Sequence, residues 1–172
     1  WLGVDGIKIN HYNFINNTAV KSGGAIYVRD DSSNCNVLNS YFENNYATDV
    51  KNSQGGAIDW LGMNGYIYNT TFEESFAVNG GTLYVGNGSD NMTIVNTTFT
   101  SSRAMGEGGS IVLLGDDCDI INSTFKYSTG MKRGGAISAH GAYNASIVDC
   151  TFDHCVGAGS VDSTNADYGD GG

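Results

Sequence analysis

The sequence predicts an all-β fold, a right-handed parallel β-helix of about six coils of 26–30 residues, and three observations carry that prediction. A phenylalanine returns at Phe14, Phe42, Phe72, Phe99, Phe125 and Phe152, spaced 28, 30, 27, 26 and 27 residues apart. About nine residues after each of the first five comes a glycine pair, at Gly23-Gly24, Gly55-Gly56, Gly80-Gly81, Gly108-Gly109 and Gly134-Gly135. Five residues before each phenylalanine stands an aliphatic residue: Ile9, Val37, Ile67, Ile94, Ile120 and Ile147. A self-similar period in this range is the signature of a solenoid, in which one repeat buries its apolar rows only against the next.

Each element follows from its offset to the phenylalanine. Seven positions before it, Ile7, Cys35, Gly65, Met92, Cys118 and Ala145 are small or apolar, and five after it lie Ala19, Ala47, Ala77, Ala104, Gly130 and Gly157. Such alternation points to strands. The glycine segments GGAI, GGAI, GGTL, GGSI and GGAI put Ile26, Ile58, Leu83, Ile111 and Ile137 at the fourth place, facing the core. The expectation is three short strands per coil, stacked about 4.8 Å apart into a rod on the order of 30 Å long. The glycine pair supplies a sharp corner. Asn39, Asn69, Asn96 and Asn122, three before the phenylalanine, are expected to form an inward amide ladder. Residues 29–36, 48–54, 86–91, 115–119 and 140–146 are the loops where coil length changes, and loops carry specificity.

Residues 1–172 read as a single domain, since no composition break marks a linker, and the opening on Trp1 marks them as a processed product or an internal piece of a longer surface protein or filament. With 8 basic against 18 acidic residues, a net charge of -10, and the basic ones scattered, no nucleic-acid partner is expected. No stretch reaches the roughly 18 apolar residues of a membrane span.

The GGAI motifs at 23–26, 55–58 and 134–137, with Phe14-x-x-Asn17 and Phe42-x-x-Asn45, resemble the repeats of the chlamydial polymorphic outer-membrane proteins. The Asn-, Ser- and Thr-rich texture resembles the adhesin-like surface proteins of methanogenic archaea. The resemblance implies a β-helix passenger or stalk on a cell surface, extracellular and used in adhesion, with surface glycans or host-cell and partner-cell proteins as partners. Ser75, Ser102, Ser128 and Cys155 depart from the motif asparagine, and GGTL and GGSI from GGAI.

Cys35 and Cys118 share an offset three coils apart, about 14 Å at strand spacing, beyond the roughly 7 Å a disulfide spans; they read as buried small hydrophobes. Cys150 and Cys155 flank Phe152 in one coil, where a bridge would need a sharp fold. No metal-ligand spacing appears, and neither a metal nor another cofactor is expected. Among the Asn-x-Ser/Thr sites, Asn16, Asn87, Asn91 and Asn144 are the expected glycosylation acceptors, because Asn69, Asn96 and Asn122 belong to the ladder assigned to the interior.

For function, the non-enzymatic reading comes first. Glu43 and Glu73 share one offset in adjacent coils with Glu74 beside them, the pattern a polysaccharide-cleaving carboxylate pair would need, yet the same offset also holds Ile15, Thr100, Lys126 and Asp153, an ordinary solvated face. The acidic loops Asp30-Asp31 and Asp116-Asp117-Asp119 lack spaced calcium ligands. The better binding candidate is the outward row beside the Ile26 set, Tyr27, Asp59 and Tyr84 followed by Val112 and Ser138, where tyrosines beside a carboxylate suit a sugar. Neither end offers an amphipathic cap, the polar 162–172 tail carrying no aliphatic row, so end-to-end self-association into a filament is the structural alternative.

Overall fold

A computed structural model describes residues 3–159. Every described element is a strand, every pairing is parallel, and the strands stack as a solenoid of six coils. Each full coil contributes four strands, one more than the sequence pattern suggests. In the third coil they are Tyr66–Tyr68, Thr71–Glu73, Phe76–Ala77 and Leu83–Val85. Like strands of successive coils pair in register, giving a first, second and third sheet of six strands and a fourth of five. The overlooked element is the third strand, only two residues long in every coil and too short to show an alternation of its own.

The apolar rows lie where the repeat predicts. Ile9, Val37, Ile67, Ile94, Ile120 and Ile147 form one register row of the first sheet, and the six phenylalanines form one row of the second. Neighbouring phenylalanine rings stack at centroid distances of 4.6, 4.6, 5.1, 4.9 and 5.0 Å. Ile58, Leu83 and Ile111 on the fourth sheet close the same core. Gly65 leaves room in the inward row for the buried Trp60 indole, whose Nε1 donates to the Gly62 carbonyl at 3.0 Å.

The four strands of a coil are joined by corners in the left-handed backbone region. In the second coil these are Asn34 (φ 58°), Asn39 (φ 48°), Asn44 (φ 54°) and Gly55 (φ 57°). Asparagine tolerates that region better than most side chains, which accounts for its abundance. At the fourth corner only glycine fits: a Cβ on Gly55 would fall on the carbonyl oxygen of Ile58, and one on Gly56 on that of Gly81 in the next coil.

The corners correct the expected inward ladder. Asn69, Asn96 and Asn122 are exposed and Asn39 half-buried. Their amides do form a ladder, Asn39 Nδ2 donating to Asn10 at 2.9 Å, Asn69 to Asn39 at 2.8 Å and Asn122 to Asn96 at 2.7 Å, but on the outside. The corner residue slips the in-out phase by one, so the inward side chain is the next one: Ser40, Thr70, Thr97 or Ser123, all buried. Each hydroxyl donates to the carbonyl two residues back, at 2.7, 3.0, 3.0 and 2.9 Å, which removes the cost of burying it.

Two pairs of departures from the repeat motif compensate one another. Asn45 is buried, accepts from Asn17 Nδ2 at 2.9 Å and donates to the Phe14 carbonyl at 2.9 Å. At two of the three serine replacements the third residue of the glycine segment in the preceding coil gains a hydroxyl, Thr82 bonding Ser102 at 2.6 Å and Ser110 bonding Ser128 at 2.7 Å, whereas Ser75 follows a segment with Ala57 and its buried Oγ has no hydrogen-bond partner. All four cysteines are free thiols, Cys35 and Cys118 buried and Cys150 and Cys155 half-buried at the last coil. Burial pushes the Cys118 thiol up to about 11. The 162–172 tail lies outside the described residues, and no described helix is long and apolar enough to cross a membrane.

Candidate binding face

The fourth sheet, with strands Ile26–Val28, Ile58–Trp60, Leu83–Val85, Ile111–Leu113 and Ile137–Ser138, turns alternate side chains inward and leaves one residue per strand facing out. Register pairing sets those residues in one line: Tyr27, Asp59, Tyr84, Val112, Ser138. The line is the floor of a groove. One wall is the row entering each glycine corner, where Ser22, Gln54 and Asn79 bridge in register, as do Glu107 and Arg133. Beyond the strands, Leu114, Asn87 and His140 border a depression on the other side. Two further depressions open at the ends, one lined by Ala19, Lys21, Ser22 and Tyr27, the other by Arg133, Ser138 and His140 with Gly134, Ile137 and Ala139.

Tyr27 and Tyr84 flank Asp59 as the row predicts, but Asp59 is not the exposed acceptor the sequence suggests. It is 1% exposed, and its Oδ1 is buried with no hydrogen-bond partner. Flanking rings and the corner wall cover a short side chain that would be solvated on a flat sheet. Burial drives its carboxyl up to about 7, against a smaller lowering by the Ser22 hydroxyl bond. Tyr27 and Tyr84 are raised in turn, by burial first and the Asp59 charge second.

The far end of the groove holds a cluster that offset reasoning missed. Glu107 Oε1 meets Arg133 Nη1 at 3.4 Å, and its Oε2 accepts from the Ser138 hydroxyl at 3.3 Å and faces His140 Nδ1 at 3.0 Å. Glu107 comes from a corner, Ser138 from a strand and His140 from a loop, in two coils, so no linear motif joins them. Ser138 Oγ also lies 3.3 Å from His140 Nδ1. A serine–histidine–acid relay needs separate imidazole nitrogens for hydroxyl and acid. Here one nitrogen faces both.

The other sequence candidates separate from this face. Glu43 and Glu73 are register partners on the second sheet, bridged by the Tyr41 hydroxyl, which donates at 2.8 Å to Glu73 and 3.3 Å to Glu43. That bond, chiefly the one to Glu73, raises the Tyr41 phenol. Glu74 is exposed on the adjoining corner (φ 50°). The acidic loops spend carboxylates on backbone: Asp90 Oδ1 accepts from Asp116 N at 2.9 Å and Asp116 Oδ1 from Tyr143 N at 2.8 Å. Among the described residues no group of three or more His, Cys, Asp and Glu is placed to hold a metal ion. Asn16, Asn87, Asn91 and Asn144 are exposed, and Asn144 Nδ2 donates to Asp117 at 2.7 Å. Asn69, Asn96 and Asn122 are exposed too, so an interior location no longer sets them apart.

Two segments, residues 12–29 and 39–59, match the Chlamydia polymorphic membrane protein repeat. They contain the first two phenylalanine and glycine-pair units and carry Tyr27 and Asp59. No curated protein and no solved structure gives a match.

Proposed function

We propose that this chain is a non-enzymatic, extracellular cell-surface adhesin or stalk that binds surface glycans along the groove of its fourth sheet. The observation that carries the proposal is the register row Tyr27–Asp59–Tyr84, two aromatic side chains one strand apart on either side of a covered carboxyl, with depressions at both ends. Tyrosines on a ladder present sugar-stacking faces at low entropic cost, because strand pairing already fixes their backbones. Asp59 lies beneath them and bonds Ser22 on the groove wall. Similarity to a repeat of membrane proteins supports the surface location. A carbohydrate array probed with the purified chain tests the reading: the Tyr27→Ala/Tyr84→Ala variant should lose the bound sugars while keeping the β-sheet circular dichroism spectrum of the parent. Retention of every bound sugar would refute it, and capture of host-cell or partner-cell protein through another face would replace it.

A second reading, a filament subunit stacked end to end, is favoured by the last coil. Phe152 there is 47% exposed and Ile147 45%, on strands that have a partner on one side only among the described residues. Concentration-dependent fibres in negative-stain micrographs would support it; a monodisperse monomer at high concentration would count against it.

A further inference from the structure

We infer that the groove takes a glycan bearing free amino groups, with one sugar ammonium seated between the Tyr27 and Tyr84 rings over the Asp59 carboxylate. The inference rests on the glycan-binding reading of this face and names the ligand class. Its first support is the unsatisfied group in the floor. Asp59 is 1% exposed, and among the described residues its Oδ1 is one of two buried side-chain polar atoms without a hydrogen-bond partner, the other being the Ser75 hydroxyl. Ser75 belongs to the inward motif row, whereas Asp59 stands in the outward row of the fourth sheet. An unpaired carboxylate oxygen gains most from a donor that is itself charged.

The second support is geometric. Tyr27 and Tyr84 pair in register with Asp59 from the strands on either side. Two strand spacings set them roughly 9.6 Å apart. A cation midway then lies about 5 Å from each ring, inside the roughly 6 Å over which an aromatic face attracts a positive charge. Entry requires the half-buried rings to turn aside, not the strands to separate. The surrounding charge has the matching sign. After burial, the largest influence, Asp59 and Asp30 raise Tyr27 against a smaller lowering by Arg29, and Asp59 and Glu107 raise Tyr84. The corner wall adds the uncharged Ser22 hydroxyl to Asp59. Lys21 borders the depression beside Tyr27 but is exposed, where solvent screens its repulsion. In the free chain burial holds the Asp59 carboxyl up at about 7, and a seated cation lowers it, so that the group ionises on binding.

Titration calorimetry at pH 6 with two probes of one backbone tests this: the glucosamine tetramer and its fully N-acetylated form. The free-amine tetramer should bind about tenfold more tightly, the effect of one charge-assisted contact. It should also release close to one proton, read from the dependence of the heat on buffer ionisation enthalpy, because the protein gives up the Asp59 proton while an amine alone would take one up or exchange none. Asp59→Asn, which keeps the shape, should remove both the preference and the release. Tyr27→Phe/Tyr84→Phe, which keeps the ring faces, should retain both, and Asp153→Asn, which deletes an equal charge on the second sheet, should leave both intact. Equal binding of the two tetramers, binding of neither, no proton release, or a preference that survives Asp59→Asn would overturn the ammonium seat. Capture of a lysine-rich peptide with the free-amine tetramer left unbound would assign the seat to a protein cation and overturn the sugar. The double alanine variant at Tyr27 and Tyr84 separates the two levels: if the tetramers bind equally and that variant abolishes both, the glycan-binding floor stands while the ammonium seat falls.

Discussion

Phe125 and Phe152 occupy the same position in neighbouring coils and stack at 5.0 Å, yet Phe125 is fully buried and Phe152 is 47% exposed. Ile120 and Ile147 repeat the contrast in the first sheet. The residues are identical; the difference is the neighbouring coil, since the strand of Phe125 is paired on both sides and that of Phe152 on one side only among the described residues. Burial in this molecule belongs to the neighbour rather than to the side chain, the one-dimensional logic of a solenoid. Outside the core the cover depends on the sheet: Asp59, flanked in register by Tyr27 and Tyr84 on the fourth, is covered, whereas Glu43 and Glu73, also flanked on both sides on the second, stay half-exposed.

Phe99→Ala removes a ring stacked on both sides and should cost about 3–5 kcal/mol in denaturant unfolding, whereas Phe152→Ala, stacked on one side, should cost about half as much or less. Equal losses would mean that the last coil is covered in solution. Next comes Asp59→Asn. The folded carboxyl titrates at about 7 against 3.8 in its unperturbed state, so the folded protein holds the proton more tightly. Stability from this group is therefore greatest below about pH 4, falls as pH rises to about 7, and is flat beyond. The asparagine variant should gain roughly 2–4 kcal/mol over the parent at pH 8 and nothing at pH 4, read from unfolding curves at both. Gly55→Ala, forced into a left-handed corner against the Ile58 carbonyl, should cost at least about 2 kcal/mol. The smallest effect belongs to the outer ladder: Asn69→Ala should cost about 1 kcal/mol, for its corner conformation and one amide bond.

The coil period and the Ile, Phe and Ile26-type rows were legible because they are inward in every coil and each coil repeats them. The asparagine row misled because period-two alternation assumes an unbroken strand. Counting by twos from Ile67 puts Asn69 inside, but the left-handed residue at the corner turns it out and sends Thr70 in. The exchange of Thr82 and Ser110 against Ser102 and Ser128 looked like drift from a motif and proves to be two hydrogen-bonded pairs, visible only once the coils are stacked. At the candidate site, Tyr27, Asp59 and Tyr84 could be aligned because all follow a glycine pair at one offset, while the cover over Asp59 depends on the wall formed by the corners. Glu107 and His140 could not be aligned at all, since a corner and a loop share no offset.

The most direct test of the binding face is hydrogen exchange read by mass spectrometry, with and without an oligosaccharide found to bind. Slowed exchange is expected in the five segments around 22–29, 54–60, 79–86, 107–112 and 133–140, with the phenylalanine-bearing strands Tyr41–Glu43 and Thr71–Glu73 unchanged. Protection centred on those two strands instead would contradict it and move the site to the Glu43–Glu73 face.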